Sequence, residues 1–307
     1  MARCPSCLGD ATRLALHGHL ECAPFHAQSR ARLITGHTFT NGTPIGDIVC
    51  QRKLYECTVS GVFIYLPLFN TSELETMYRV YDGQNTLSLT HFRPNEQAAM
   101  IASAMQLSSW RGPLHIVEAG CAGGHFLAVL AKSHLLNETA RAVTSVSLSC
   151  FEADPKMAPA AQKLLGQVQS MSKGWLQARV VRSLFTGVGL QPASVDLVSS
   201  SHVLEHVTDP CTYVQMLRTV LRPRGYVFTE LPLQSMDHKH RWVRGLFHAT
   251  FWSSASYNAM MERLGFTLVA KQIAQHGLVV RQLHRLLPNV TGPPPCDSGT
   301  CPGDGVV

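Results

Sequence analysis

Hydrophobic residues along the chain form short continuous runs that alternate with longer stretches at helical spacing. The run containing Leu114, Ile116 and Val117 is typical of a buried parallel strand, and it gives way to small residues at 120–124. Apolar side chains then return at the spacing of a helix's inner face: Phe126, Leu127, Val129 and Leu130. This part of the chain is predicted to form a strand, a glycine turn and a helix.

The same succession occurs again farther along the chain. A strand that begins at Val195 leads into a helix that Thr208 or Asp209 can cap, with Pro210 in its first turn. The inner face of this helix would carry Tyr213, Val214, Leu217, Val220 and Leu221. The helix is predicted to stop at 221–225.

Further elements complete an alternating pattern. A strand at 226–232 precedes a helix that runs from Ser253 or Ser254 to Gly265, and strands at 266–269 and 278–280 close the sheet. Alternation of this kind predicts a doubly wound α/β fold, in which ligands bind at the carboxyl ends of the strands.

The end of the first predicted strand restricts the type of ligand. Glu118 would repel a pyrophosphate but can accept hydrogen bonds from an amino group or from ribose hydroxyls, whereas a phosphate-binding loop would carry Lys. Glycine in the turn allows positive φ angles and a close approach of a ligand to the main chain. The alternative interpretation is an ordinary connection whose residues are small for steric reasons.

Six segments, taken together and in order, resemble the class I S-adenosylmethionine-dependent methyltransferases: 118–124, 151–155, 195–198, 203–210, 221–226 and 230–232. The resemblance covers roughly residues 95–285 and implies a mostly parallel, seven-stranded Rossmann-like sheet. Within this superfamily, 248–253 followed by 261–266 is similar to the branch that contains small-molecule and deoxysugar C-methyltransferases.

The resemblance implies how S-adenosylmethionine would be bound. Glu118 and Gly120 would meet the methionine end, and Gly124 would permit the close turn, although the family usually has glycine where this chain has Ala122. Glu152 matches the acidic residue that takes the two ribose hydroxyls. Asp154 is the competing candidate, and a solvated turn or a helix cap is the structural alternative for both.

The adenine and acceptor sides are less clearly marked. The chain has no acidic residue at the adenine position, so Ser183 and backbone groups would serve there, with apolar packing from Leu184 or Phe185. The end of the next strand would line the cofactor or substrate side with Ser200, Ser201 and His202.

Two histidines are candidates for the chemical step. Methyl transfer from a sulfonium depends mainly on positioning, and a base is needed only if the acceptor must lose a proton. His206 lies just after a strand end, where such a base would be placed, and His248 is the second candidate. The alternatives are a loop-orienting residue for His206 and a surface residue of a lid for His248.

The N-terminal segment resembles the zinc ribbon that precedes many methyltransferases of this branch. Cys4 and Cys7 have the spacing of a zinc knuckle, and Cys57 with Ser60 occupies the place of the second. Because serine is a poor zinc ligand, the site requires a substitute, with these candidates: Cys50, Cys22, His17 and His19. The alternative is a degenerate ribbon that keeps its hairpin without zinc.

These features predict four parts of the chain. They are a degenerate ribbon-like module at 1–66, a linking helical segment at 67–100, the methyltransferase domain at 101–290 and a disordered Pro- and Gly-rich tail at 291–307.

Composition bears on the size of the core, the cellular location and the possibility of a membrane helix. Of the 307 residues, 45% are hydrophobic, which suffices for one large core and a small module. Ten cysteines and the absence of a signal-like N-terminus predict a reducing, cytoplasmic location. No apolar run reaches the roughly 18 residues of a membrane helix. No membrane partner is therefore expected, and no particular oligomeric state is predicted.

The formal net charge is +6 with histidines neutral, and the segment 237–244 concentrates basic residues beside an aromatic. We interpret this segment as a solvated loop over the active-site mouth; the alternative is contact with a phosphate-bearing substrate such as a sugar nucleotide or, with less support, RNA.

Three functions follow from these observations. The first is S-adenosylmethionine-dependent methyl transfer to carbon or oxygen of a sugar or related small molecule. The second is a non-catalytic methyltransferase-like protein that binds cofactor or a partner. The third, an NAD-dependent oxidoreductase, is disfavoured because the turn lacks G-x-G-x-x-G and follows Glu118.

Overall fold

The computed structural model describes residues 14–19, 52–57, 62–66, 69, 73, 76, 92–136, 143–233 and 248–288. Several predicted features lie outside these residues, namely Cys4, Cys7, the basic segment 237–244, the tail at 291–307 and most of the linking segment 67–100. Cys57 ends a strand, but its side chain also lies outside the described part.

The described strands form two sheets. In chain order the strands are β1 (Leu14–His19), β2 (Lys53–Cys57), β3 (Phe63–Leu66), β4 (Gly112–Ala119), β5 (Val143–Phe151), β6 (Leu176–Val181), β7 (Val195–Ser201), β8 (Leu221–Pro232), β9 (Thr250–Phe251), β10 (Phe266–Ala274) and β11 (Val279–Leu286). The large sheet has the order β10-β11-β8-β7-β4-β5-β6, and the small sheet has the order β1-β2-β3-β9.

The large sheet confirms the predicted mostly parallel, seven-stranded α/β fold. Strands β6, β5, β4, β7 and β8 pair in parallel, while β11 is antiparallel to both of its neighbours, β8 and β10. The strand order reverses between β4 and β7, so the ends of these two strands diverge toward helices on opposite faces. A crevice for a ligand is expected at that point.

In the described part of the chain, the α-helices with defined bounds are α1 (Phe92–Ala104), α2 (His125–Leu130), α3 (Met157–Met171), α4 (Pro210–Val220) and α5 (Ser254–Arg263). Two of the predicted helix starts are confirmed by side-chain caps. The carboxylate of Asp209 accepts a hydrogen bond from the backbone N–H of Thr212 at 3.0 Å, and Ser253 forms a reciprocal capping box with Ser256.

Hydrophobic residues cover both faces of the large sheet. One cluster packs α4 and α5 against the sheet and includes Val117, Val198 and Val227. The other packs α1, α2 and α3 against the opposite face and includes Ile116, Leu148 and Leu197. Because neighbouring residues of β4 belong to different clusters, this strand is buried on both sides, as its continuous apolar run predicts.

The helix α4 ends where it was predicted to end, with Leu221 as its C-cap, but the predicted start of the next strand at 226 was wrong. Strand β8 begins at Leu221, directly after α4, and Leu221 is buried where it pairs with Val195. The register shifts before Tyr226 pairs with Leu197, and Arg224 has a φ of 66° within this irregularity. A bulge therefore admits the proline and glycine that made the segment look like a loop.

The small sheet joins the N-terminal segment to the rest of the molecule. Strand β3 pairs antiparallel with β9, so that Phe63 lies opposite Phe251 and Ile64 opposite Thr250. Arg52 supports the same contact, because its guanidinium donates to the carbonyl oxygen of His248 at 2.9 Å.

Among the described residues, no helix is both long and apolar enough to cross a membrane.

Candidate functional site

The site lies at the carboxyl ends of β4, β5, β7 and β8, where the glycine turn enters α2. Gly120 has a φ of 65°, and a Cβ added there would lie 2.7 Å from Cγ2 of Val203. Gly124, with a φ of 76°, packs against Ala161, 3.3 Å from where its Cβ would be. Both positions therefore require glycine for backbone conformation and for close packing.

Ala122 occupies a conformation that favours glycine. Its φ is 46°, and its backbone N–H donates to Oε2 of Glu152 at 2.6 Å. A disulfide between Cys121 and Cys150 also joins the turn to β5. The turn is thus held against β5 by a hydrogen bond and by a covalent link on neighbouring residues.

Glu118 is a buried carboxylate with unused bonding capacity. Its side chain is 4% exposed, and its Oε2 atom has no hydrogen-bond partner among the described residues. Burial raises the pKa of Glu118 well above its usual value, and the charge of Glu152 raises this pKa further. A donor group on a ligand, especially a cationic one, would satisfy this orphaned oxygen.

Glu152 and Asp154 have different roles in the structure. The Oε1 atom of Glu152 accepts from the backbone N–H of Asp154 at 2.7 Å, and burial raises the pKa of Glu152. Asp154 points the other way, since its Oδ1 accepts from the backbone N–H of Lys156 at 2.7 Å at the start of α3. Asp154 is therefore occupied as a cap, while Glu152 faces the glycine turn.

The predicted adenine side is only partly accessible. Ser183 is exposed just beyond β6, and Leu184 is 40% exposed. Phe185 is buried in the core, with its ring 5.0 Å from that of Phe151 and 6.3 Å from that of Tyr213. Of the two apolar candidates, Leu184 is thus the one that a ligand can reach.

Ser200 is buried at the end of β7, and its hydroxyl lies 3.1 Å from the hydroxyl of Tyr213. The next residue, Ser201, accepts a hydrogen bond from the amide of Gln97 at 3.1 Å. The two serines therefore connect β7 to α4 and α1 respectively.

The structure brings His206 and His248 together. Their ring centroids are 4.9 Å apart in an edge-to-face arrangement, although the residues belong to different segments. Burial, followed by the charge of His206, lowers the pKa of His248 to about 3. His248 is therefore a neutral imidazole near pH 7.

A buried network of charges adjoins the two histidines. Glu230, at the end of β8, accepts from Nε of Arg281 at 2.5 Å and from the amide of Gln97 at 3.0 Å, and it forms an ion pair with Arg93. His202 lies between Glu230 at 3.3 Å and Glu205 at 3.0 Å, and its φ is 53°. Although burial lowers the pKa of His202, the two carboxylates raise it overall.

Sequence reasoning did not assign roles to most of this network. Arg281 and Arg93 lie at opposite ends of the domain in sequence, and no motif links them to Glu230. Arg281, Gln282 and His284 are buried on β11, and a buried charged side chain requires a partner.

The site fits S-adenosylmethionine by two features of this structure. The orphaned Oε2 of Glu118 offers an acceptor to an ammonium group, and Glu152 offers a carboxylate at the end of β5. Two neighbouring carboxylates favour a ligand with positive charge and disfavour a pyrophosphate.

Comparisons with known proteins identify the family and the fold. Residues 89–271 match the methyltransferase domain family, while no curated protein matches the chain in sequence. The fold is similar to that of 1,6-didemethyltoxoflavin-N1-methyltransferase from Burkholderia thailandensis, which was solved with 1,6-didemethyltoxoflavin and S-adenosylhomocysteine. The two sequences are 16% identical, the similarity covers 77% of this chain and 96% of that chain, and the TM-score is 0.52.

A similar arrangement occurs in a SAM-dependent methyltransferase from Aquifex aeolicus, at 12% identity over 67% of this chain and 100% of that chain, with a TM-score of 0.48. The family match spans more than half of the chain and contains the glycine turn, Glu152 and Glu230. The chain therefore belongs to the methyltransferase domain family and is a class I S-adenosylmethionine-dependent enzyme.

Proposed function

We propose that this enzyme transfers the methyl group of S-adenosylmethionine to a small-molecule acceptor, and that Glu118 and Glu152 hold the cofactor. The observation that carries the proposal is the pair of carboxylates beside the glycine turn: Glu118 is buried with its Oε2 unpaired among the described residues, Glu152 is half-buried and bonded to the turn, and burial raises the pKa of each. S-adenosylmethionine carries a positive ammonium and a positive sulfonium, so its binding relieves the repulsion between the two carboxylates.

Each carboxylate has a separate role. Glu118 accepts a hydrogen bond from the ammonium group through Oε2, the atom without a partner in the described part of the chain. Glu152 accepts from the ribose hydroxyls with the lone pairs that its backbone hydrogen bonds leave available. Asp154 is excluded from this role in the proposal because it caps α3.

The remaining predicted cofactor contacts surround this pair. Gly120 and Gly124 allow the main chain to approach the methionine end, Ser183 and Leu184 border the adenine side, and Ser200 anchors the end of β7. The cofactor supplies an activated methyl group, and the protein's contribution is to align it with the acceptor.

His206 and His248 lie on the acceptor side of the site. Their rings are in edge-to-face contact beyond β7, and we propose that they contact the acceptor. A small-molecule acceptor agrees with the structure from Burkholderia thailandensis, whose bound compound is 1,6-didemethyltoxoflavin. A screen of candidate metabolites with methyl-labelled cofactor would identify the acceptor.

Calorimetry tests the cofactor assignment directly. S-adenosylhomocysteine should bind and NAD should not. Glu152→Ala should weaken S-adenosylhomocysteine binding by about 1–3 kcal/mol because the ribose hydroxyls lose their acceptor. Asp154→Ala should destabilise α3 with little change in affinity, and Glu262→Gln, at an exposed position of α5, serves as the control.

Two outcomes would contradict the proposal. Unchanged affinity in Glu152→Ala together with a loss in Asp154→Ala would transfer the ribose contact to Asp154. Binding of NAD in preference to S-adenosylhomocysteine would refute the electrostatic argument itself.

A further inference from the structure

We propose that Glu205, His206 and His248 form a binding site for a divalent first-row transition metal ion beside the position of the methyl acceptor. One potential ligand atom from each side chain lies within 4.8 Å of the others. The set consists of two imidazoles and one carboxylate, drawn from the turn Leu204–His206 and from the residues that precede β9.

The separation of the three atoms suits a single ion after small adjustments. Ligand atoms that lie about 2.0–2.2 Å from one ion are roughly 3–3.5 Å apart from each other. Both histidine side chains are partly accessible, whereas Glu205 is 1% exposed. An ion can therefore enter from the solvent side and meet a carboxylate on the protein side.

Two of the proposed ligands have unused lone pairs. Oε2 of Glu205 and Nδ1 of His248 are buried and have no hydrogen-bond partner among the residues that the structure describes. Buried polar atoms of this kind are rare in native proteins, and a metal ion satisfies both at once.

Surrounding residues hold the ligands in place. The Nδ1 atom of His202 lies 3.0 Å from Oε1 of Glu205, which leaves Oε2 directed away from this contact. The backbone N–H of Ala249 donates to the carbonyl oxygen of Glu205 at 2.7 Å, and Arg52 donates to that of His248 at 2.9 Å. His202 and Arg52 are thus positioning residues that orient the two ligand segments.

The type of ligand set selects the class of metal. Two imidazoles and a carboxylate suit zinc, iron(II), cobalt(II) or manganese(II) better than magnesium or calcium, which prefer all-oxygen sites. Three protein ligands also leave at least one position open.

The acceptor of the proposed methyl transfer can occupy this open position, and this step rests on that proposed function. A hydroxyl of the acceptor held there would lose its proton to solvent more readily, because a metal ion lowers the pKa of a bound hydroxyl. The oxygen then forms a bond to the methyl carbon, the carbon–sulfur bond breaks, and its electron pair remains on the sulfur of S-adenosylhomocysteine. The metal site therefore predicts an acceptor that is methylated on oxygen.

The test uses the whole 307-residue chain, stripped with chelator and titrated with Co²⁺. The visible spectrum should show one equivalent of Co²⁺ with the weak bands of nitrogen and oxygen ligation. Glu205→Gln, His206→Gln and His248→Gln should each lose this signal, and His202→Gln should weaken binding by about 10–100-fold, as expected for an outer-shell partner. His134→Gln, a histidine beyond α2, is the matched control and should bind as the parent does.

The spectrum also separates this site from the N-terminal cysteines. Thiolate ligation gives intense sulfur-to-cobalt bands, which a Cys4→Ser/Cys7→Ser variant would remove without changing the weaker ones. If a ligand variant fails to fold, the Co²⁺ spectrum of the parent protein alone decides whether the metal site exists. A folded parent that shows no nitrogen- and oxygen-ligated Co²⁺, or folded ligand variants that bind it as the parent does, would overturn the proposal.

The two proposals can fail separately. Calorimetry with S-adenosylhomocysteine tests the cofactor site without metal, and the Co²⁺ titration tests the metal site without cofactor or acceptor.

Discussion

Ala122 stands in the turn at a position where the family usually has glycine. Its φ of 46° lies in the left-handed region, where a residue with a Cβ is strained by about 1–2 kcal/mol. The hydrogen bond from its N–H to Glu152 holds the backbone in this conformation. The turn thus keeps a shape that glycine would adopt more easily.

We therefore expect Ala122→Gly to leave the free energy of unfolding unchanged or to raise it by up to about 1 kcal/mol, because relief of strain offsets the greater entropy of glycine in the unfolded chain. Urea denaturation measures the change. Ala160→Gly, within α3, is the control and should lose about 0.5–1 kcal/mol, as glycine does inside helices. Equal losses at both positions would show that the turn at Ala122 is unstrained.

At the scale of elements, the turn between β4 and α2 is packed too closely for any other residue at Gly120. A Cβ there would lie 2.7 Å from Cγ2 of Val203, and the φ of 65° adds strain. The glycine turn and the segment after β7 are therefore in direct contact, and a change in one displaces the other.

Gly120→Ala should lower stability by about 1–3 kcal/mol and weaken S-adenosylhomocysteine binding, since the turn must move to accommodate the methyl group. The double variant Gly120→Ala/Val203→Ala removes the clash but not the backbone strain, so it should recover part of both losses. Denaturation and calorimetry on Gly120→Ala, Val203→Ala and the double variant give the coupling between the two positions.

Gly166→Ala is the matched control, because nothing lies within 4 Å of its added Cβ and the residue is inside α3. This variant should be slightly more stable than the parent. If the double variant recovers nothing, contact with Val203 is not the cause of the loss.

The elements also show where sequence reasoning succeeds. Local signals predicted the helix starts at Asp209 and Ser253, because a cap depends only on neighbouring residues. The continuous apolar run of β4 predicted a central strand for the same reason. The start of β8 was missed, because Pro223 and Gly225 mark a loop unless a bulge admits them.

Non-local pairing limited the prediction of the site. The glycine turn and Glu152 were placed from motifs, but the meeting of His206 with His248 depends on how 248–251 returns to the sheet. The arginine partners of Glu230 come from α1 and β11, and no pattern along the chain links them.

At the scale of the whole molecule, Glu230 joins three parts of the chain that are distant in sequence. Arg93 lies on α1, Arg281 on β11 and His202 just beyond β7, and all three contact the same carboxylate at the end of β8. The network therefore fixes α1 and β11 against the central strands directly behind the site.

Burial raises the pKa of Glu230, but His202, Arg93 and Arg281 outweigh this effect and lower the pKa to about 2, from an ordinary value of 4.5. A carboxylate whose folded-state pKa is depressed stabilises the fold at pH values above its unfolded pKa. This contribution should be complete above about pH 4.5 and should disappear as the pH falls toward about 2.

Glu230→Gln should reduce the free energy of unfolding at pH 7 by up to about 3–5 kcal/mol, because it removes the buried counter-charge of Arg93 and leaves the buried Arg281 with only the exposed Glu96 as a charged partner. The difference between parent and variant should shrink as the pH falls below about 4.5, since protonation of Glu230 makes the parent resemble the variant. Urea denaturation of both proteins across this pH range measures the difference.

Glu262→Gln, on an exposed side of α5, should follow the parent at every pH. A gap between Glu230→Gln and the parent that stays constant down to the lowest pH would mean that packing around Glu230, rather than its charge, holds α1 and β11 to the sheet.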